Sequence, residues 1–355
     1  MPMRMYALSL LLLPLELLAG AGVYDLELIA LRDDIYLIRR PDPLRQPVEG
    51  NVVFIVNEHD VVVVDGGGSP LAAKNAIQLI RSVTPKPVAV LITTHWHGDH
   101  NLGNQVYRTT FPTLRIVSHE NTYQHMTGAA MSYVAELPAE LDGYIREFES
   151  MAAKQPLDER RSAMLNDLRS ARRELDQVVV TPADLTFDDE LTLRHGAREI
   201  QVLHPGRANT DGDAVVWLPQ EKVLISGDVV VHPIPYGIGS YPREWIATLN
   251  ELSKLPYELL VPGHGDVQRD QQYIRQLVRT LTLIREQVAV SVAKGMDLEA
   301  TTRALDPSAF ESAFTNGDAV RSKLFTAWWL KPIARSAWLE ARGEPIVQSG
   351  KRDNR

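Results

Sequence analysis

Residues 91–100 read Leu-Ile-Thr-Thr-His-Trp-His-Gly-Asp-His, and the fold is decided by this stretch. His95, His97, Asp99 and His100 put three imidazoles and a carboxylate within six residues. The apolar run at 87–92 before them reads as a strand. A strand ending in such a cluster delivers nitrogen and oxygen donors to one point, which is a zinc-type ligand set. The alternative is a polar loop on an exposed turn, and the fit between the four spacings weighs against it.

Upstream, two β-branched runs at 52–56 and 61–64 are joined by Asn57-Glu-His-Asp60, which suits a hairpin. The run at 61–64 is continuously apolar, as in a strand buried on both faces. It enters Asp65-Gly-Gly-Gly68, a tight turn that needs glycine conformations. Ser69-Pro70 then opens a helix with apolar spacing over 72–83, stopped by Pro85 and Pro87. The order is β-β-α-β, with charged groups at strand ends, as layered α/β folds place them.

Downstream, another strand is expected near 115–119. Residues 120–177 change character: they are rich in Ala, Glu, Arg and Leu and read as two or more helices broken around Pro138 and Pro156. Their charge runs read as solvated helix faces. Short strands return at 184–193, 200–203, 214–218 and 223–226, with a glycine-bearing turn at 204–213. A helix is expected at 246–255. Ser226-Gly-Asp228 and Pro262-Gly-His264-Gly265 each follow a strand. The rest is helical: 270–294, 298–305, and 322–342 with a kink expected at Pro332. Phe325, Trp328, Trp329 and Trp338 on the last helix read as core packing.

The chain has 355 residues, 45% hydrophobic and 23% charged, an ordinary globular composition. Its net charge of −8 disfavours nucleic acid as a partner. Without cysteine, disulfides, thiolate metal sites and cysteine nucleophiles are excluded. Arg4 precedes a leucine-rich run at 7–18 and an A-x-A pattern at Ala19-Gly-Ala21. Residues 1–21 are therefore expected to be a secretory signal peptide, with an uncleaved anchor as the alternative. The protein is expected to be periplasmic or secreted, with no integral membrane domain after cleavage. Oligomeric state is not legible.

Taken together, Asp65-Gly-Gly, His95-Trp-His-Gly-Asp-His100, the turn around Asn209, Gly227-Asp228 and Gly263-His264-Gly resemble the metallo-β-lactamase superfamily over roughly residues 24–270. The resemblance implies an α/β, four-layer αββα sandwich of two mixed sheets with helices outside. Residues 22–295 would form the hydrolase domain, with the insertion at about 120–177, and 296–355 a helical extension packed on it. The resemblance also implies two metal ions per chain, usually Zn2+. His95 and His97 would bind the first, Asp99, His100 and His264 the second, and Asp228 would bridge them. Asp65 would hold the histidine loop from behind, a role whose loss weakens metal binding.

One position departs from the pattern. Where the family has a third histidine for the first metal, in G-x-x-H-T, this chain has Asn209. A neutral amide oxygen is a poorer zinc donor than imidazole, so the first site is expected to be weaker or differently filled. His204 is a possible substitute ligand. Asp213 reads as a structural turn residue, and His59 and His195 as exposed. His232 and Tyr236, in the Pro-, Gly- and Tyr-rich segment 231–241, are expected to line a substrate pocket.

Metal-held water reaches a pKa of about 7, so hydroxide is available at neutral pH to attack an electrophilic centre. Asp99 could orient it as well as ligate. The expected function is hydrolysis of a small organic substrate: a β-lactam, lactone, ester or thioester. Two other readings remain open on the same residues: a non-catalytic accessory metal-binding module, and a mono-iron oxygen-dependent enzyme.

Overall fold

A computed structural model describes residues 25–348. The proposed signal peptide lies outside the described residues. The chain runs through β1 (Glu27–Arg32), β2 (Ile35–Arg39), β3 (Val52–Val56), β4 (Val61–Val64), α1 (Pro70–Val83), β5 (Val88–Thr93), α2 (Gly98–Asn101), α3 (Asn104–Thr110) and β6 (Arg115–His119). The insertion follows as α4 (Glu120–Thr127), a 3-10 turn (Ala129–Ala135), α5 (Leu137–Lys154) and α6 (Glu159–Leu175). Then come β7 (Leu185–Phe187), β8 (Glu190–His195), β9 (Arg198–Leu203), β10 (Val215–Leu218), β11 (Val223–Ile225), α7 (Pro242–Leu252) and β12 (Leu259–Val261). The chain closes with α8 (Gln272–Ala293), α9 (Leu298–Ala304), α10 (Ser312–Thr315), α11 (Ala319–Leu324), a π-helical turn (Phe325–Leu330) and α12 (Lys331–Arg342).

Strands β1 to β7 form one sheet in sequence order, antiparallel from β1 to β4 and parallel from β4 to β7. The second sheet has the order β12-β11-β10-β9-β8. The four valines of β4 show why the layers form. Val62 and Val64 face the second sheet, packing with Val202, Val216 and Val261. Val61 and Val63 face the opposite way, against Ala73, Ile77 and Ile80 of α1. Alternation puts both faces of this strand under cover. Each buried valine is worth about 1.5–3 kcal/mol relative to exposure. Helix α1 starts as expected: Ser69 accepts a hydrogen bond from the Ala72 amide and Pro70 sits in the first turn.

The outer face of the second sheet is covered by α7, α8 and the C-terminal helices. Leu224, Leu260, Trp245, Leu277, Phe314, Phe325, Trp329 and Ile333 share one apolar cluster. The extension thus shares one apolar cluster with the outer face of the second sheet.

Four expectations change. The strand foreseen at 184–193 is two strands in different sheets, because Asp188 and Asp189 turn the chain from β7 to β8. Helix α7 starts at Pro242, earlier than the expected 246, since proline suits a first turn. The last helix is not kinked by Pro332, which lies in the first turn of α12; the irregularity is the π-turn before it. And Trp328 is only partly buried, lining the main cavity while Trp329 beside it is fully buried.

Candidate metal centre

Strand ends assemble the site. Beta5 leads into the loop carrying His95, His97, Asp99 and His100, β11 delivers Asp228, and β12 delivers His264. The His100 Nε2 lies 3.0 Å from His264 Nε2 and 3.2 Å from Asp228 Oδ1. Asp99 Oδ2 is 3.1 Å from His264 Nε2, and His95 Nε2 is 3.6 Å from Asp228 Oδ2. Among the described residues two donor sets qualify as metal-holding, His95–His100–Asp228 and Asp99–His100–His264, each with its ligand atoms within 4.8 Å of one another. His97 stands outside both sets. Its ring packs edge-on against His95 at 4.8 Å and lines the cavity.

The other ring nitrogens show that these side chains are set up as ligands. His100 Nδ1 is 2.8 Å from Asp65 Oδ2, and His264 Nδ1 donates to the Glu49 carbonyl at 2.9 Å. Thr94 Oγ1 donates to Asp65 Oδ2 at 2.9 Å, so its lone pair is left for His95 Nδ1 at 3.0 Å. Each Nδ1 is therefore tied back, which turns each Nε2 inward toward the cluster. The His95 Nε2 and Asn209 Oδ1 are buried without a hydrogen-bond partner, and Asp228 Oδ1 has the approach of the His100 and His264 Nε2 atoms alone. Buried polar atoms left this way are costly, and a cation held by His95, His100 and Asp228 would satisfy those of His95 and Asp228. The donor set fits a divalent metal of the zinc class.

The electrostatics divide the imidazoles. Burial pulls the His95 imidazole well down and the His97 imidazole to about 4, so both are neutral, the form that ligates. Burial also pulls on His100, but Asp228, Asp99 and Asp65 together overcome it and raise it well above its usual range. Burial would lift Asp99 and Asp228, yet His100 and His264 hold both carboxylates below their ordinary values. This is a buried cluster rich in negative charge.

Backbone features secure it. Asp65 takes a left-handed conformation (φ 63°), uncommon for a non-glycine, and its side chain accepts from the Thr94 amide at 2.8 Å. Gly227 has φ 50°, and a Cβ at Gly263 would lie 2.0 Å from Asp228 Oδ1, which explains the Gly-Asp and Gly-His pairs. Asp65→Ala is expected to weaken metal binding about 10–100-fold, read by competition with a chelating indicator. Unchanged affinity would remove Asp65 from the supporting role.

Asn209 is fully buried, and its amide nitrogen donates to Asp228 Oδ2 at 3.2 Å. It therefore orients the Asp228 carboxylate. Asp213 is the turn residue expected of it, accepting from the Thr210 amide and hydroxyl at 2.8 and 2.7 Å; burial pushes its carboxyl up to about 7. His204 is no substitute ligand: it bonds the Asp213 carbonyl at 2.7 Å and stacks on His119. His59 is exposed, but His195 is not, its side chain being 14% exposed and paired with Asp60 at 2.9 Å. His232 is half-buried, packed on Tyr273, and Tyr236 lies edge-on to His97; both line the cavity.

Sequence reasoning missed Thr94, Glu49, Asn51 and Tyr133. Asn51 Nδ2 donates to the Pro262 and Gly265 carbonyls at 2.8 and 3.1 Å, fixing the His264 loop. The Tyr133 hydroxyl, from the insertion, accepts from the Gly98 amide at 3.0 Å. For Thr94 a signal existed, a hydroxyl directly before the first histidine. The others act across the fold and leave no local pattern.

The cluster opens on a cavity of 840 Å³ walled by the 43–49 loop, the insertion, the 231–238 segment and Trp328. Two sheets back to back, outer helices, and a histidine–aspartate cluster at the strand ends define a metal-dependent hydrolase. Residues 45–264 match the profile of the metallo-β-lactamase superfamily, and the chain belongs to it. It is 24% identical over 251 residues to a linear primary-alkylsulfatase of Pseudomonas sp. (strain ATCC 19151), covering 66% of this chain and 46% of that one. It is 23% identical over 274 residues to the metallo-β-lactamase type 2 of Elizabethkingia meningoseptica, covering 75% and 88%. Among solved structures, a stereoselective inverting sec-alkylsulfatase from Pseudomonas sp. superposes with TM-score 0.66 at 14% identity, covering 89% of this chain and 50% of that one. The chain thus spans about half the length of these alkylsulfatases.

Proposed function

We propose that the protein is an exported hydrolase that cleaves an ester, thioester, lactone or β-lactam bond in a small organic substrate, with two metal ions, zinc by donor chemistry, at the cluster. The observation that carries this reading is the gathering of two donor sets, His95–His100–Asp228 and Asp99–His100–His264, beside a large cavity that His97, Asp99, Asp228 and His264 line. Bound metal would polarise the scissile group and make a water acidic enough to lose its proton near neutral pH. Asp99, with its side chain 30% exposed, is placed to accept a hydrogen bond from the attacking water and orient it. Burial keeps the Tyr133 hydroxyl protonated; it accepts from Gly98, so its own proton is free for a substrate oxygen. Among the relatives, one is named an alkylsulfatase and another a metallo-β-lactamase, and the carbonyl part of that range is the one proposed here.

Elemental analysis with a hydrolysis panel tests this, on wild type and Asn209→His. Turnover of at least one carbonyl ester or amide that is lost on chelation is the expected result. The added imidazole is expected to raise occupancy of the first site. Two metals already bound tightly in wild type, with unchanged stoichiometry in the variant, would sink the claim that Asn209 weakens that site. Bound metal with no turnover of any substrate would favour an accessory role. Export predicts a mature chain beginning near residue 22 in the periplasmic or secreted fraction.

A further inference from the structure

Trp96 stands between His95 and His97, and it is buried with Leu102, Met126 and Met131. A buried indole N–H has to find an acceptor. The acceptor comes from the far end of the chain: Trp96 Nε1 donates to Gln348 Oε1 at 2.8 Å. Gly343 sets the path of this tail. It ends α12 in a left-handed conformation (φ 70°), and the Glu344 amide closes the turn on the Leu339 carbonyl at 2.9 Å. Residues 344–348 then reach the 231–241 segment. There Gln348 Nε2 donates to the Gly239 carbonyl, and the same side chain hydrogen-bonds that of Tyr241. Tyr241 in turn donates its backbone amide at 2.8 Å to the carbonyl of Ala208, the residue before Asn209.

One glutamine thus joins three stretches around the first-metal side of the centre. They are the loop of His95 and His97, the segment after Asp228, and, through Tyr241, the turn carrying Asn209. His97 packs against both of the first two, on Trp96 with ring centroids 4.6 Å apart and on Tyr236 at 5.7 Å. The other side of the centre is held separately, by Asp65 behind His100 and by Glu49 and Asn51 behind His264 and its loop. We infer that Gln348 is a positioning residue for the His95–His97 side: the C-terminal tail clamps the ligand loop to the 231–241 segment and the Asn209 turn. A primary amide suits this place because it offers an acceptor and a donor from one planar group. The inference rests on the two-metal reading only for which binding step is affected.

The full chain is compared with its Gln348→Met variant, which keeps the side chain's length and removes both polar ends. Amide hydrogen exchange of the metal-free protein is expected to rise about tenfold over 95–97, 207–210 and 236–241 together, and to stay within about twofold over 263–265. Zinc titration against a chelating indicator is expected to show two steps in wild type. In the variant the weaker step is expected to weaken about tenfold and the tighter one to move less than about twofold. In a Trp96→Phe background, which lacks the donor, Gln348→Met is expected to cost only about threefold or less, because two partners of one contact are not additive. If Trp96→Phe does not fold, Gln348→Glu, which keeps an acceptor for Trp96, is expected to bind zinc more tightly than Gln348→Met. Faster exchange confined to the tail, or equal changes on both sides of the centre, overturns the inference. A single zinc step in wild type counts against the two-metal reading, and the exchange pattern then decides the inference by itself.

Discussion

Asp228→Ala is expected to lower metal affinity by about 10²–10³-fold, and kcat/KM on any substrate turned over by at least as much. The carboxylate stands between the two donor sets. Its Oδ1 is 3.2 Å from His100 and 3.5 Å from His264, and its Oδ2 is 3.6 Å from His95. Removing one member of a buried charged constellation costs about 3–5 kcal/mol, and each 1.4 kcal/mol is a factor of ten. Asp228 belongs to the set with His95 and His100, and its Oδ1 also lies 3.5 Å from His264 of the other, so both sets are expected to suffer. The checks are elemental analysis and chelator competition, with circular dichroism to confirm folding. Wild-type metal content in a folded variant would show that Asp228 is not the shared ligand.

Asp167→Ala is expected to destabilise the fold by about 3–5 kcal/mol, measured by urea denaturation. Asp167 lies on α6 and is buried, as is Arg40 just after β2. Arg40 Nη2 pairs with Asp167 Oδ2, and Arg45 Nε approaches the same oxygen at 3.0 Å. The variant takes the buried counter-charge from Arg40 and leaves it the half-exposed Asp25 at 3.6 Å, which Arg45 shares. Arg40 also donates to the Pro47 carbonyl at 2.7 Å, so the pair joins the insertion to the 43–49 loop. That loop ends at Glu49, whose carbonyl holds His264 Nδ1 and whose carboxylate accepts from the Gly68 amide at 2.8 Å. Weaker substrate binding is therefore expected alongside the stability loss. The double replacement Arg40→Met/Asp167→Leu, which removes both charges, is expected to be markedly less destabilised than Asp167→Ala. A loss below about 1 kcal/mol in Asp167→Ala would mean the ion pair is not the tether.

The consequence of Asn209 was only partly legible. Its departure from the histidine pattern could be seen in the residues, but its present role could not. The amide nitrogen bonds Asp228 Oδ2 while the oxygen is left buried and partnerless, a geometry set by the Thr210–Asp213 turn. Similarly, the helical insertion could be read from composition. That Tyr133 from it props the Gly98 amide, and that Leu141 and Leu168 wall the cavity, depends on how α5 and α6 dock.

From the sequence, through its resemblance to the family, came the layered fold and the cluster of donors that gathers His95, Asp99, His100, Asp228 and His264. Metal coordination demands particular donor atoms at close spacing, and buried strands demand runs such as Val61–Val64, so both requirements are written locally. Only the tertiary structure decided what stands behind and around that centre: Glu49 behind His264, 215 residues away, Asn51 behind its loop, Trp328 in the wall and Gln348 against Trp96. A backbone carbonyl can be offered by any residue and an apolar wall by many. Such contacts are chosen by long-range packing rather than by residue type.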